Sequence, residues 1–375
     1  MMNFKKGDDM RHFCSSLLLC GIAFLFVPAA NAQDVVVRRV TDRVITLSMT
    51  NLGTHTNITV IETRKGLVCI ETEFVPSIME TIKEAAEKEL GRKDWAYVIN
   101  SHGHLHHAGG NAAFPDTPII GPEKTMMDRL KRQLSSAEGR KGYCDFAGVT
   151  SGIKALRQNL ARARLTAEQR ETLRRRLRFC YEIQKEIMAG FEVRNPTIAY
   201  DELNKMDMGD THLRLTYWGD GISHSSIFVH VVEDNLLVGM GMSGERWLPG
   251  FDGRNSLEDI RHSISVFKGL CDENFRIDVM IGIHKPYLNK SRQRFQQAHS
   301  YLQTLLDDLT QAQQDGLSLQ QAKAEFSLNK QYAHFCRYFT LPEPERREKS
   351  HQETINTIWE LLQKEGPPYS TAHNH

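Results

Sequence analysis

The sequence has no charge imbalance, no closely spaced cysteine pairs, no repeats and no long hydrophobic run after its first thirty residues. Lys and Arg number 47 against 46 Asp and Glu, a formal net charge of +1, which argues against a dedicated nucleic-acid binder resting on phosphate neutralisation. No CxxC pair occurs among the seven cysteines, so a thiolate zinc ribbon and a dense disulfide framework are both excluded. The longest apolar stretch, Phe13 to Val27, is shorter than the ~20 residues of a spanning helix. No membrane span is expected.

That stretch follows Lys5, Lys6 and Arg11 and runs into Ala30-Asn31-Ala32. The pattern is that of a secretory signal (residues 1–32) removed near Ala32, before Gln33, and the expected address is periplasmic or secreted. Cys20 follows three leucines rather than a small residue, a weak basis for lipid attachment. Cys69, Cys144, Cys180, Cys271 and Cys336 remain after cleavage. An oxidising compartment allows one disulfide among them, with no pairing readable from spacing.

Short β-branched runs at 35–37, 44–46, 58–61 and 67–70, separated by Asp, Asn and Gly, read as consecutive strands. Pro76 opens a helical pattern through Ile78, Ile82 and Ala86, and a strand from Trp95 to Ile99 follows. Residues 124–192 read as helical, with Thr166 and Gln169 spaced as a capping box. The cluster Arg174, Arg175, Arg176 and Arg178 reads as a solvated helix face. Strands return at 213–217, 227–232 and 236–238, then a helix over 257–270 and a strand over 277–283 ending at His284. Two β-rich halves, each ending in a strand-end histidine, predict a layered αββα sandwich of the α/β class with its site between the sheets. Apolar stripes through Phe295, Ala298, Leu302, Leu305 and Leu309, and through Ile355, Ile358, Trp359 and Leu362, predict C-terminal helices packed on the core.

His102-Gly103-His104-Leu105-His106-His107 places four imidazoles within six residues, directly after a strand. Imidazole is the commonest metal ligand near neutral pH, and a solvated loop has no need of four.

This run, followed by Ala108-Gly109-Gly110-Asn111, resembles the HxHxDH motif of the metallo-β-lactamase superfamily and its trailing glycines. Gly66 to Thr72 resembles the family strand that ends Ile-Asp-Thr. Gly221 to Ser226 resembles its second histidine element, and Gly282-Ile283-His284 its last. The resemblance implies an αββα sandwich over residues 33–290, a helical insert at about 124–195 and a helical C-terminal extension over 291–375. It also implies that His102, His104 and His224 hold a first metal, and that His107 and His284 serve a second. Two positions depart from the family: His106 stands where the motif has aspartate, and Met242 where a bridging aspartate is expected. A thioether does not replace a bridging carboxylate. One zinc ion is therefore expected, with the second position weak or vacant, since an uncompensated pair of dications repels.

Glu71 replaces the usual strand-end aspartate and reads equally as a support for a ligand imidazole or as a surface acid. Glu245 is a candidate replacement carboxylate, and His55 a substrate contact or an ordinary loop histidine. His212 and His230 read as structural, and His262 as a helix-surface residue. The expected function is a metal-dependent hydrolase in which a metal-bound hydroxide attacks an ester, lactone or amide-like small molecule, with His106 among the catalytic groups. The rival is a non-catalytic ligand- or partner-binding protein with a degenerate site. A mononuclear iron oxygenase ranks lower because its carboxylate ligand is missing.

Overall fold

The computed structural model describes residues 35–49, 56–162, 164–219, 226–239, 256–272, 275–283, 291–338 and 343–365. The signal segment, His55, His224, Met242, Glu245 and His284 lie outside these residues.

Side-chain alternation along the strands sets the layers. In β4 (Gly66–Ile70) Leu67 and Cys69 join one apolar cluster while Val68 and Ile70 join another, as the period of two in an extended chain requires. The first cluster lies under α1 (Pro76–Leu90), through Ile78, Met79, Ile82 and Ala86. The second fills the space between two sheets. It receives Ile61 of β3 (Ile58–Thr63), Ile99 of β5 (Trp95–Ile99) and Ile120 of β6 (Ile119–Gly121) from one side. From the other come Leu213 and Leu215 of β9 (His212–Gly219), Val229 of β10 (Ser226–Val231), Val238 of β11 (Leu236–Gly239) and Ile281 of β12 (Val279–Gly282). The opposite face of the second sheet, with Phe228, Leu237 and Met280, meets the helices that follow.

The first sheet orders β1 (Val35–Arg39), β2 (Val44–Met49), β3, β4, β5, β6 and β7 (Ile198–Ala199) as consecutive neighbours, antiparallel as far as β4 and parallel beyond it. The second runs β12, β11, β10, β9 and β8 (Lys205–Asp207), with only β11 and β12 parallel. Each parallel step from β4 to β5 and from β11 to β12 crosses over through a helix: α1 in the first case, and in the second the helix Leu257–Leu270. α1 begins with Pro at its first turn and ends at Gly91 with φ +66°, a left-handed stop that glycine adopts freely.

After β5 come the short helix α2 (Leu105–Ala108) and a 3-10 turn (Gly109–Ala113). Between β6 and β7 the insert comprises α3 (Asp128–Leu134), α4 (Ala137–Phe146), α5 (Val149–Leu160) and α6 (Ala167–Ala189). Thr166 and Gln169 form the reciprocal capping box at the start of α6. The helix Leu257–Leu270, here α7, is followed by α8 (Ser291–Gln314), α9 (Leu319–Glu325) and α10 (Pro344–Glu365), and their stripes bury Phe295, Leu302, Leu309, Ile355 and Trp359 against the second sheet. No helix among the described residues is long and apolar enough to cross a membrane. Cys69, Cys144, Cys180 and Cys271 are free thiols.

Three expectations shift. The last strand is shorter, Val279–Gly282, because residues 275–278 are bends and irregular chain. His262 is half-buried, its Nε2 3.3 Å from the Tyr217 carbonyl, rather than a surface residue. Arg175 and Arg176 are half-buried beside the exposed Arg174 and Arg178, so the arginine cluster wraps the helix instead of occupying one face.

The C-terminal helices also enclose a polar chain that periodicity does not reveal. Tyr301 Oη lies 2.7 Å from His351 Nδ1, and His351 Nε2 lies 2.7 Å from the Phe326 carbonyl. A carbonyl only accepts, so Nε2 carries the proton and the Tyr301 hydroxyl donates to Nδ1. Burial holds the His351 imidazole below its ordinary value of 6.5. The unfolded chain therefore takes up a proton that the folded chain refuses, and this contribution to stability, full above pH 6.5, is lost as pH falls below it. Urea unfolding at pH 7.5 and pH 5.5 is expected to show a smaller acid loss for His351→Gln than for the parent chain. Tyr301→Phe is expected to cost ~1–3 kcal/mol at neutral pH.

Candidate metal centre

β5 delivers the histidine run. Asn100, just beyond the strand, continues its pairing by donating from its amide to the Ile120 carbonyl at 2.8 Å, and the chain then turns through Ser101–His104 into α2. The four imidazoles come together there. Ring centroids lie 4.5 Å apart for His102 and His104, 4.6 Å for His102 and His107, 4.0 Å for His106 and His107, and 5.6 Å for His104 and His106. His102 and His107 are fully buried, while His104 and His106 are half-buried.

The buried pair is held from behind. Ser101 Oγ is 2.9 Å from His102 Nδ1, and Glu71 Oε2 is 3.3 Å from His107 Nδ1. Where the Ser101 oxygen accepts, His102 carries its proton on Nδ1 and keeps its basic lone pair on Nε2, the arrangement of metal-binding imidazoles, whereas Glu71 stands beside His107 as a neighbouring carboxyl without hydrogen-bond geometry. Glu71 is itself fixed by the Ser101 amide, which donates to Oε1 at 3.0 Å. It reaches this place through a left-handed backbone (φ +69°), costing ~1 kcal/mol for a residue with a Cβ.

The His107 carbonyl is pinned as firmly as its ring. It accepts from the Thr72 amide at 2.7 Å, the Thr72 hydroxyl at 3.2 Å and Asn100 Nδ2 at 3.1 Å. Asn100 and Asn111 exchange side-chain hydrogen bonds at 2.9 and 3.1 Å. Gly109 and Gly110 make the approach feasible, since a Cβ on either would strike the Phe74 or Glu73 carbonyl.

Contacts from the second sheet converge on the same end. The Ile227 amide donates to the Ser101 carbonyl at 3.0 Å, and the Asn57 amide to the Ile283 carbonyl at 2.6 Å. The Thr56 hydroxyl lies 3.4 Å from the His106 carbonyl. Among the described residues, no three His, Cys, Asp or Glu side chains form a metal-holding group by themselves. The imidazoles fit a divalent ion of zinc type in their donor chemistry.

The insert supplies a wall. Tyr143 of α4 donates to the Phe74 carbonyl at 2.7 Å, and one turn later the half-buried Phe146 ring sits 6.3 Å from that of His106. Asn100, Ser101, Glu73 and Phe146 had no sequence signal of their own. Asn100 and Ser101 sit at the end of an apolar strand beside the histidines, which is the one clue to them.

Of the remaining histidines, His212 is exposed and its Nδ1 is 2.6 Å from Glu233 Oε1. His230 is buried against Phe275 on the helix-covered face of the second sheet.

Two buried carboxyls lie on the segment that follows β4. Desolvation pushes Glu71 up to about 8, against the lowering effect of the Ser101 hydrogen bonds. It also pushes Glu73 up to about 8, opposed by the Phe74 amide. Glu73 Oε2 has no hydrogen-bond partner.

The family model described as the metallo-beta-lactamase superfamily matches residues 52–130, which run from before β3 through the histidines into α3. Among solved structures, the stereoselective inverting sec-alkylsulfatase Pisa1 from Pseudomonas sp. is similar with a TM-score of 0.53 and 14% identity, over 90% of this chain and 51% of that one. This chain thus spans about half the length of the alkylsulfatase. A metallo-beta-lactamase from Pontibacter korlensis gives 0.44 and 12%, over 72% and 99% of the two chains. A metallo-beta-lactamase family protein from Thermus thermophilus gives 0.48 and 14%, over 88% and 98%. No curated protein matches. The match to the metallo-β-lactamase superfamily model thus falls on the segment that carries the histidine run, and the αββα sandwich is a fold of the metallo-β-lactamase type.

Glu73 gives a test of the buried acids. A carboxyl whose folded value is raised stabilises fully below its unfolded value, near 4.5, and that stability is lost as pH rises toward 8. Glu73→Gln is expected to gain on the order of 1–3 kcal/mol over the parent chain between pH 5 and pH 8. Urea midpoints at the two pH values measure it.

Proposed function

We propose that the chain is a metal-dependent hydrolase, with zinc as its ion, acting on ester, lactone or amide-like small molecules after export to the periplasm or beyond the cell. The observation that supports this most is the packing of four imidazoles at the end of β5, two of them buried and one of these, His102, held at Nδ1 by Ser101. A single site built from His102, His104 and His224 carries the activity. His106, His107 and His284 form a weaker second position, and His55 and Glu245 are candidate substrate-side groups. The catalytic domain spans 33–290 and the helical extension 291–375.

Zinc so held supplies a Lewis acid and lowers the pKa of bound water toward neutrality. The protein's own residues contribute the rest. Ser101 holds the His102 ring at Nδ1, and the Glu71 carboxyl lies 3.3 Å from His107 Nδ1. His106, half-buried beside His107, would exchange a proton with substrate or leaving group, a role for which imidazole is suited near neutral pH. Phe146 limits the open side next to it.

Elemental analysis of chain purified without added metal is the primary test. About one zinc per chain is expected, with the ion absent from His102→Ala. Hydrolysis of carboxylic esters, lactones and β-lactams should disappear with it. Secondary alkyl sulfates belong in the screen because of the structural similarity to an alkylsulfatase. No metal after zinc supplementation sinks the reading, and stoichiometric zinc without turnover on any substrate leaves a binding protein. Separately, Glu71→Gln should weaken zinc affinity by about 10–100-fold with the fold intact, as loss of a carboxylate behind a ligand imidazole does elsewhere. Competition with a chelator reads this directly, and unchanged affinity would show that Glu71 serves packing alone.

A further inference from the structure

The strongest concentration of charge lies away from the histidines. Nine basic and two acidic residues fall between Lys154 and Arg178, in a chain whose whole formal charge is +1. The stretch covers the end of α5, the turn after it and the first half of α6. One side of this hairpin is anchored, with Ile153, Cys180, Ile183 and Ile187 buried. The Arg170 guanidinium closes the turn by donating to the Leu160 carbonyl at 3.2 Å. Lys154, Arg157, Arg162, Arg164, Arg174 and Arg178 are exposed. Of these, Arg178 shares its charge with Glu171 at 3.0 Å, and Arg157 lies over the Tyr181 ring at 5.5 Å.

We propose that the α5–α6 hairpin docks the protein on anionic phospholipid surfaces. Keeping so many like charges on one hairpin costs self-repulsion, and a surface of fixed negative charge relieves it. Guanidinium groups pair with phosphate oxygens through two parallel N–H donors, which suits a headgroup layer. A basic cluster on an amphipathic helix is the pattern of such attachment, and each Lys or Arg adds to it. Single-stranded nucleic acid is the poorer fit. No Phe, Trp or Tyr occurs between Lys154 and Arg178, so the stretch offers no platform for base stacking. α4 packs against both helices of the hairpin and carries Phe146 to His106, so docking and the candidate centre share one connecting helix. The docking itself does not depend on the hydrolase reading.

The test is sedimentation of the full chain with phosphatidylcholine vesicles, with and without phosphatidylglycerol at about one third of the lipid. Anionic vesicles are expected to bind at least about tenfold more strongly, and the difference should vanish at about 1 M salt, where the screening length is short. The variant Lys154→Gln, Arg162→Gln, Arg164→Gln, Arg174→Gln should lose this preference while keeping its circular dichroism spectrum. If that variant loses helicity, Arg162→Gln with Arg164→Gln, both in the turn, should still reduce binding by about tenfold. A control removing the exposed Lys93 and Lys330 charges should bind as the parent does. Equal binding to both vesicle types, no binding to either, an unaffected variant, or tighter binding to a single-stranded oligonucleotide than to anionic vesicles each overturns the proposal.

Discussion

One peptide carbonyl organises the candidate centre. The oxygen of His107 accepts from the Thr72 amide, the Thr72 hydroxyl and Asn100 Nδ2, and so ties the ends of β4 and β5 to the helical turn that carries His106 and His107. These donors are buried, with no water to substitute for a lost partner, so each displaced bond costs the desolvation of a polar group. The short side chains nearby follow from that constraint. Gly109 and Gly110 let the turn press onto the Glu73 and Phe74 carbonyls, and Asn111 closes the ring by pairing with Asn100 and the Arg194 carbonyl. Asn111 thereby links the histidine run to the segment where the insert returns to β7.

The two sheets are clamped at the same end. Ser101 meets the second sheet through the Ile227 amide of β10, and Asn57 takes the carbonyls of Gly282 and Ile283 with its side chain and its amide. Most of these contacts join backbone groups that would otherwise end unpaired where the strands stop. The apolar layer between the sheets holds them at a fixed spacing, and the polar contacts at its edge set the register. A site assembled here is shaped by the whole sandwich rather than by one loop.

Sequence patterns revealed the layers well because those layers obey local rules. β4 alternates apolar faces, α1 carries Pro at its start and Gly at its end, and the Thr166 capping box begins α6 where spacing places it. The histidine run was equally plain. What stayed hidden depends on pairs distant in the chain or without a motif: Ser101 behind His102 has no signature, Tyr143 reaches Phe74 across 69 residues, and Tyr301 finds His351 across 50. β8, three residues reading Lys-Met-Asp, is too short and polar for alternation to show, and exists because β9 offers it an edge. The arginine cluster shows the limit of reading charge from periodicity, since half-burial of Arg175 and Arg176 comes from tertiary packing.

With His106 and Met242 at positions where the motif that the sequence resembles has aspartates, the acid that the described chain places against the histidines is Glu71, beside His107. Without a cation Glu71 is held largely protonated by desolvation. A divalent ion on the imidazoles would favour its ionised form, because a positive charge nearby offsets the burial penalty. Metal uptake at such a site releases a proton from behind the ligand as well as from water. A carboxylate in front of the metal would compete with substrate for the open position. One beside His107, as Glu71 is, would leave that position clear.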